Sequence, residues 1–293
     1  MPETLPVHEA GQAIHATHAV ARLRAERLAR ASKPFLARGG PKGARCPGCR
    51  LPPSHCVCAL RLAAPTCAGV CLLMFDTEPL KPSNTGWLVA DVVPQTFAFP
   101  WARTEVAPPL LALLADPQWW PVVVFPGEFV DPTRVLHELP LALRSASASA
   151  SASAPAAAST AATATATVPA AAASAAVQVQ QPLFIVLDGT WPEARKMLKQ
   201  SPYLRALPVL SLEPGAASRY RLRRSRHIGH LCTAEVAALC LGLAGEARAA
   251  EVLHAWLDLF THHYLQSKHQ LPPELGGQAH RQWRGFTAAG SAP

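Results

Sequence analysis

The chain has 293 residues, 49% of them apolar, and a formal net charge of +8. This length is enough for one full α/β domain and an accessory module. No uninterrupted apolar run reaches the length of about 18 residues that a membrane-spanning helix needs, because Ser, Thr and Pro interrupt the alanine-rich stretch 146–176. The basic balance favours a polyanionic partner, nucleic acid rather than a membrane.

The first residues lack the features of a targeting segment. They contain no apolar signal core, and Glu3, Glu9 and Glu26 argue against a transit peptide, which is poor in acids. We therefore expect cytoplasmic residence, where disulfides are rare and the eight cysteines serve as metal ligands or free thiols. The sequence leaves the oligomeric state open, a monomer included.

Residues 1–43 form a polar, basic arm that is partly compatible with a helix. Its cations stand among alanines and leucines: Arg22, Arg24, Arg27, Arg30, Lys33 and Arg38. The arm is either an RNA-contacting segment or a loosely ordered extension, and the pattern slightly favours the extension.

A compact cysteine motif occupies residues 44–62. Its spacing, C-x2-C-x6-C-x-C, brings four thiolates close enough to bind one tetrahedral ion, and zinc is the natural occupant. The ligands are Cys46, Cys49, Cys56 and Cys58. A closed shell of four sulfurs makes the ion structural. The alternatives are that His55 replaces one cysteine, or that the four thiols are unrelated. The other cysteines are interpreted as buried small residues: Cys67, Cys71, Cys232 and Cys240.

Apolar runs at 70–74, 122–125 and 183–187 alternate with helix-compatible segments, which predicts an α/β fold with a parallel sheet. Between the second and third runs, residues 145–180 repeat Ser, Ala and Thr and contain no Leu, Ile, Phe or Trp. Such a stretch buries too little surface to offset the entropy of ordering its backbone. We therefore predict a disordered insertion in a surface loop of the domain.

Residues 233–268 predict two helices that are broken near Gly245. Apolar side chains recur on one face at helical spacing, which assigns them to the core. They are Leu253, Trp256, Leu257, Phe260 and Tyr264. The residues after Pro272, 272–293, are interpreted as a C-terminal tail.

An acid stands at the end of the third apolar run. Asp188 follows that strand directly, and a helix is expected just beyond it, which is where open α/β sheets form their ligand crevices. Thr190 and Glu193 fit a T-x-x-E capping box, and Pro192 suits the first helical turn. An ordinary strand-turn-helix corner explains the same pattern.

This corner resembles the signature of the DTW-domain family, named for Asp-x-Thr-Trp, which stands here at 188–191. The resemblance continues in family order through Ser83-Asn84-Thr85-Gly86, Val123-Val124-Phe125-Pro126-Gly127-Glu128, Tyr220-Arg221-Leu222-Arg223 and Thr233-Ala234-Glu235. The family usually has His-Pro-x-Glu where this chain has Phe75-Asp76-Thr77-Glu78. The glutamate is kept and the histidine is lost, and Asp76 is not assumed to replace it.

The resemblance implies a transferase domain at residues 63–271. Bacterial members move the 3-amino-3-carboxypropyl group of S-adenosylmethionine onto N3 of a tRNA uridine, in the variable loop or, alternatively, the dihydrouridine loop. The family also looks related to SPOUT enzymes, whose cofactor lies in a knotted pocket, and the knot is carried over only by analogy. A SPOUT-like RNA methyltransferase and a catalytically inactive zinc-knuckle RNA-binding protein are the alternative functions.

The same resemblance implies roles for individual residues. Asp188 is the expected general base, because burial near Trp191 and Phe125 would raise the pKa of a carboxyl at a rigid strand end. Thr190 and Trp191 complete the catalytic set. The implied cofactor contacts are Glu78, Asn84, Thr85, Phe125, Pro126, Gly127, Asp188, Gly189, Thr233 and Glu235. For residues 84–86, capping of the following helix is an equal alternative.

The expected RNA contacts combine cations with one aromatic platform, which suits phosphate neutralisation and base stacking. They are Lys81, Arg195, Lys196, Tyr220, Arg221, Arg223, Arg224 and Arg226, and Arg219 belongs to the same cluster. For Arg195 and Lys196, an exposed helix face is the alternative.

Overall fold

The computed structural model describes residues 18–33, 35, 43–144, 180–213 and 231–289. Its centre is a six-stranded sheet in which every paired strand is parallel, so the predicted α/β class with a parallel sheet is confirmed. The strands are β1 (Gly69–Met74), β2 (Thr96–Pro100), β3 (Trp119–Val124), β4 (Val135–Leu136), β5 (Gln181–Asp188) and β6 (Val209–Leu210).

The strands lie in the order β2-β1-β5-β3-β6-β4. The longest strand, β5, is central: its Leu187 is in register with Leu73 of β1, and its Val186 with Val124 of β3. Residues 182–188 are all buried. A parallel strand covered on both faces reads as a continuous apolar run, which is why 183–187 shows no polar alternation.

Helices cover both faces of the sheet. They are α1 (Ala19–Ala29), α2 (Gly86–Val92), α3 (Pro108–Ala115), α4 (Trp191–Gln200), α5 (Thr233–Leu243), α6 (Ala247–Lys268) and α7 (Gln278–Ala289). Successive side chains of β5 alternate between two core layers. Phe184 and Val186 pack in the layer that includes α2, α5 and α6. Ile185 and Leu187 pack in the layer that includes α3 and α4.

The part of the basic arm that the structure describes is a helix packed on the domain. Val20 and Leu23 of α1 are buried in the larger core layer. Arg24 donates to the carbonyls of Pro79 and Leu80, at 3.2 and 2.8 Å. Two cations of the arm, Arg24 and Arg27, therefore have partners inside the molecule, Arg27 through its ion pair with Asp76.

The C-terminal region contains one more helix than the sequence predicts. The break near Gly245 is present, with a φ of 86° that suits glycine. Beyond it, α7 lies where we expect a tail, and its Trp283 is 1% exposed. The Trp283 ring lies 5.0 Å from that of Trp256 on α6. Burial of this indole docks α7 on α6, so the description of residues 272–293 as a tail is wrong for this helix.

The predicted insertion falls almost entirely on residues 145–179, which lie outside the described residues, as do 1–17, 34, 36–42, 214–230 and 290–293. Among the helices that are described, none combines the length and apolar character needed to cross a membrane.

Candidate functional site

Asp188 lies where the carboxyl ends of the central strands converge. It is in register with Met74 at the end of β1, and its carbonyl accepts the backbone N–H of Phe75 at 2.9 Å. On the other side, Val124 at the end of β3 is in register with Val186. The loops that follow these strands thus meet around Asp188, as expected for a crevice in an open parallel sheet.

The carboxylate of Asp188 joins two other segments of the chain. Its Oδ2 accepts the side-chain N–H of Asn84 at 2.7 Å, and its Oδ1 accepts the hydroxyl of Thr233 at 2.7 Å. Asp188 is 4% exposed. A buried carboxylate requires such hydrogen bonds, so Asp188 ties the loop before α2 and the start of α5 to the end of β5.

Asn84 performs two tasks at once. Its Oδ1 accepts the N–H of Trp87 at 3.0 Å, a contact that satisfies one free amide of the first turn of α2. This bond orients the amide so that Nδ2 faces Asp188 and, at 3.4 Å, Oε2 of Glu78. The helix-capping alternative is therefore present in the structure together with the carboxylate contact. The neighbouring Thr85 accepts the N–H of Ala234 at 3.4 Å.

Position 86 requires glycine because the backbone of α2 lies very close to Asp188 there. A Cβ built on Gly86 would lie 2.6 Å from Oδ2 of Asp188 and 3.2 Å from a methyl of Leu72. The first distance is far below van der Waals contact, and the second neighbour is in the core. The glycine of the S-N-T-G segment thus allows the first turn of α2 to pack directly on the Asp188 carboxylate.

Glu78 adds a second carboxylate to the same cluster. It is fully buried and forms an ion pair with Lys81, whose side chain is 25% exposed. Asn84 bridges Glu78 and Asp188. We call Glu78, Asn84, Asp188 and Thr233 the carboxylate network. Lys81, an expected RNA contact, lies beside this network and pairs with it.

The signature residues after Asp188 begin α4. Glu193 accepts both the N–H and the hydroxyl of Thr190 at 2.7 Å, which completes the predicted capping box. A Cβ on Gly189 would lie 3.1 Å from the Cβ of Glu193. The ring of Trp191 stacks on Phe125, with centroids 5.3 Å apart and planes 2° from parallel. Thr190 and Trp191 thus connect β5, α4 and the end of β3.

The expected cofactor residues after β3 and in the first turn of α5 have clear structural contacts. The N–H of Gly127, which follows Pro126, donates to the hydroxyl of Ser211 at 3.0 Å, and this bond ties the loop after β3 to the end of β6. Glu235 is buried and accepts the N–H of Cys232 at 2.8 Å, as the second half of a capping box on α5. The loops after β3, β5 and β6 are therefore adjacent.

The position where the family usually has histidine is apolar in character. Phe75 stacks on Trp101, with ring centroids 5.7 Å apart. The next residue, Asp76, forms a bidentate ion pair with Arg27 at 2.7 and 2.8 Å. The hydrogen bond from Arg27 lowers the pKa of Asp76, so this carboxylate is engaged with α1 and does not supply the missing imidazole.

A basic cavity of about 340 Å³ opens between α4 and the loop after β3. It lies on the face of the sheet opposite the carboxylate network. Its lining includes the cations Arg134, Arg195, Lys199 and Arg205, with Phe125 and Phe129 as apolar walls. The guanidinium of Arg195 lies 4.5 Å from the centre of the Phe129 ring, a cation–π contact.

The sequence indicates only one of these four cations, Arg195. Arg134 bonds the carbonyls of Leu204 and Leu207, so it also shapes the cavity. The i, i+4 spacing of Arg195 and Lys199 on α4 is the signal that could have identified Lys199. Lys196 points elsewhere, 5.9 Å from the Trp101 ring centre. The remaining expected RNA contacts lie outside the described residues: Arg219, Tyr220, Arg221, Arg223, Arg224 and Arg226.

The four cysteines of the knuckle come together as their spacing predicts. Their Sγ atoms all lie within 4.8 Å of one another. Cys46 is 3.5 Å from Cys56 and from Cys58, and Cys49 is 3.7 Å from Cys56. A tetrahedral zinc ion with Zn–S bonds of about 2.3 Å separates its sulfurs by about 3.8 Å. The cluster could therefore hold zinc.

The histidine inside the knuckle has other partners. The Nδ1 atom of His55 is 2.9 Å from the Ser54 hydroxyl, and Nε2 is 2.8 Å from the carbonyl of Leu271. Both ring nitrogens are engaged, so the alternative in which His55 replaces a cysteine ligand is disfavoured. All eight cysteines lie in the described residues and none forms a disulfide. Of the remaining four, Cys71 and Cys240 are fully buried, whereas Cys67 and Cys232 are partly exposed.

Comparison with known proteins identifies the family. The sequence model of the DTW domain matches residues 43–265, which include the knuckle, the sheet and the carboxylate network. No solved structure matches the chain. Because the match covers most of the sequence, the chain belongs to the DTW-domain family, the family of the tRNA-uridine aminocarboxypropyltransferases.

Proposed function

We propose that this protein transfers the 3-amino-3-carboxypropyl group of S-adenosylmethionine to N3 of a tRNA uridine. Family membership supports a role in tRNA modification. The observation that carries the specific reaction is the carboxylate network, in which family motifs from three separate segments meet at Asp188. The rest of the proposal concerns what each part of this network does.

The chemistry of the network fits the amino acid end of S-adenosylmethionine. That end is a zwitterion, which needs an acceptor for its ammonium group and a donor for its carboxylate. Glu78 offers carboxylate oxygens, and Lys81 beside it is an ammonium donor that is partly exposed. When bound, the sulfonium would make the adjoining γ-carbon electrophilic. Glu78, Lys81 and Asn84 would hold the arm that carries this carbon.

Asp188 is proposed as the base that accepts the uridine N3 proton. Its Oδ2 is enclosed by Asn84 and Gly86. Its Oδ1 contacts Thr233, which is half-exposed. The uridine would therefore approach Oδ1 and exchange with the Thr233 hydroxyl. The proton passes from N3 to Oδ1, the N3 electron pair forms the bond to the γ-carbon, and the carbon–sulfur pair leaves with methylthioadenosine.

RNA binding is proposed for the basic cavity and the neighbouring exposed cations of α4. Arg195, Lys196 and Lys199 are exposed, and Arg195 adds an aromatic contact on Phe129. Cations of this kind neutralise phosphates without reading sequence. The arginine-rich segment 219–226 stays a prediction of the same kind.

Zinc is proposed for the cysteine cluster, with a structural role. The donor set is all sulfur and has no place for a substrate. We also retain the relation to SPOUT enzymes as a proposal. It is supported by strand order: β5 lies between β1 and β3, and β6 between β3 and β4, so late strands insert between earlier ones.

The purified protein, S-adenosylmethionine and total tRNA test the reaction. Mass spectrometry distinguishes the products, because aminocarboxypropyl transfer releases methylthioadenosine whereas methyl transfer releases S-adenosylhomocysteine. We expect methylthioadenosine, dependent on tRNA, with a matching mass gain on uridine. S-adenosylhomocysteine would establish the methyltransferase instead. Absence of both, with tRNA binding retained, would favour an inactive RNA-binding protein.

A further inference from the structure

Arg50 occupies an unusual position between the cysteine cluster and the site. It follows Cys49 directly and has a φ of 67°, a conformation that non-glycine residues rarely adopt. Its N–H donates to the carbonyl of Cys46 at 2.8 Å, and the N–H of Cys46 donates to the carbonyl of Leu51 at 2.8 Å. The backbone turn of the knuckle therefore determines where the Arg50 side chain leaves the chain.

The guanidinium of Arg50 is buried against the loop that carries the carboxylate network. Arg50 is 1% exposed. Its Nη1 donates to the carbonyl of Lys81 at 3.0 Å and to that of Asn84 at 3.2 Å. The charge lies 4.3 Å from the centre of the Trp87 ring and 5.6 Å from that of Phe260. Burial lowers the pKa of Arg50 to about 9.

Burying the Arg50 guanidinium in this way carries a cost in folding free energy. Nε and Nη2 of Arg50 have no hydrogen-bond partner among the described residues, and a buried charge with unsatisfied donors opposes folding. Both hydrogen bonds of the Arg50 guanidinium go to one short segment. Lys81 and Asn84 are the ends of a turn in which the Asn84 N–H donates to the Lys81 carbonyl at 3.0 Å.

The turn held by Arg50 sets the direction of the Asn84 side chain. The amide of Asn84 reaches both Asp188 and Glu78, and Trp87, on which Arg50 stacks, donates its N–H to the same side chain. A shift of the 81–84 turn would therefore move Asn84 away from the two carboxylates. The Arg50 side chain therefore connects the cysteine cluster to the loop that carries Asn84 of the carboxylate network.

We propose that Arg50 is a positioning residue, through which the cysteine knuckle fixes the 81–86 loop against Asp188. The inference rests on the proposed function only in treating that loop as a cofactor contact. It gives the knuckle a task inside the molecule.

A second arginine of the knuckle provides a matched control. Arg61 donates to the carbonyl of Gly48 at 2.8 Å and pairs with Asp91 at 3.0 Å. Its side chain is 9% exposed, and Asp91 lies toward the far end of α2. Arg61 therefore anchors the same helix to the same knuckle, but at the end of α2 away from the 81–86 loop.

Hydrogen–deuterium exchange of the full chain tests this proposal. We compare Arg50→Lys, Arg50→Met and Arg61→Met with the wild type and follow peptides that cover 81–88. Both Arg50 variants should exchange about ten-fold faster in these peptides, because loss of the two carbonyl bonds opens the turn locally. Arg61→Met should stay within about two-fold of the wild type there. Arg50→Lys keeps the charge, so it decides the matter if Arg50→Met does not fold.

Unchanged exchange at 81–88 in Arg50→Lys, or an equal increase in Arg61→Met, would overturn the proposal. Calorimetric titration with S-adenosylmethionine separates this result from the proposed function. If the wild type does not bind S-adenosylmethionine, the proposed function is wrong while the exchange data still decide the role of Arg50. If the wild type binds, we expect Arg50→Lys to weaken binding by about ten-fold, and equal affinity would also contradict positioning.

Discussion

The two faces of the sheet at the Asp188 corner are built in opposite ways. On one face, Glu78, Asn84 and Asp188 of the carboxylate network are buried, and hydrogen bonds to Asp188 join three segments of the chain. On the other face, the basic cavity is open, and its cations Arg195, Lys199 and Arg205 are exposed. The first arrangement fixes loops relative to one another, whereas the second presents charge to a partner.

This difference separates two kinds of experimental effect. Removing a partner in the buried network leaves another polar group unsatisfied, which costs stability as well as function. Removing an exposed cation leaves water in its place and changes only the attraction for an anion. Substitutions on the two faces should therefore differ in whether the melting temperature moves with the activity.

The largest effect is expected for Asp188→Asn. Asparagine retains one oxygen for the Asn84 amide, and its own amide can donate to the Thr233 hydroxyl, so the fold should persist. The base is lost, and methylthioadenosine production should fall by about a hundred-fold or more. Single-turnover assays measure the rate, and circular dichroism measures folding. Normal turnover would make Asp188 a loop organiser alone, and an unfolded variant would assign it a purely structural role.

Gly86→Ala should destabilise the fold by about 1–3 kcal/mol, because the new methyl group meets Oδ2 of Asp188 and Leu72. The matched control is Gly242→Ala in α5, where a Cβ meets no atom within 4 Å. That change should stabilise by about 0.5–1 kcal/mol through helix propensity. Thermal denaturation of both variants provides the comparison. Equal stability of the two would show that the approach of α2 to Asp188 is not tight.

Metal removal should change hydrogen–deuterium exchange only on the face of the sheet that carries the carboxylate network. If the cysteine cluster holds zinc and Arg50 transmits its effect, chelation of the wild type should increase exchange at 81–88 by about ten-fold. Peptides covering 127–136 at the basic cavity should stay unchanged. In Arg50→Met, chelation should add little at 81–88, since the connection is already broken. Elemental analysis checks the ion, and a purified protein without stoichiometric metal would contradict the zinc assignment.

The smallest effect is expected on the open face. Lys199→Ala combined with Arg205→Ala should weaken tRNA binding several-fold and reduce the slope of log affinity against log salt by about 1–2. The melting temperature should not move. Arg103→Ala, an exposed cation outside the cavity lining, serves as the control. An unchanged salt slope in the double variant would mean that RNA does not use the cavity.

The parts of the fold that depend on local pattern could be predicted from the sequence. The apolar runs of β1, β3 and β5, the capping box at Thr190 and the cysteine spacing are all local. The short strands β4 and β6 have two residues each, too few for a periodic signal. Helix α7 gives only a weak apolar signal in the sequence, because its core contribution comes mainly from Trp283 and the residues around Trp283 are mostly polar.

The sequence identifies individual residues of the site, but it does not reveal which of these residues contact one another. Motifs in family order identify Asp188, Asn84 and Gly86, yet their contacts join residues about a hundred positions apart. The sequence does not indicate that Arg50 is buried, because an arginine beside a cysteine motif is normally exposed. Its burial depends on α2 and α6 packing around it, which only the tertiary structure reveals.

Calorimetric binding of two ligands to the wild type and Glu78→Gln tests the central claim most directly. Methylthioadenosine lacks the amino acid arm that Glu78 is proposed to hold, whereas S-adenosylmethionine carries it. The substitution keeps the shape of residue 78 and removes its charge. We expect the affinity for S-adenosylmethionine to fall by about ten-fold or more, with the affinity for methylthioadenosine unchanged. An equal loss for both ligands, or no loss for either, would contradict the assignment of the carboxylate network to the cofactor's amino acid end.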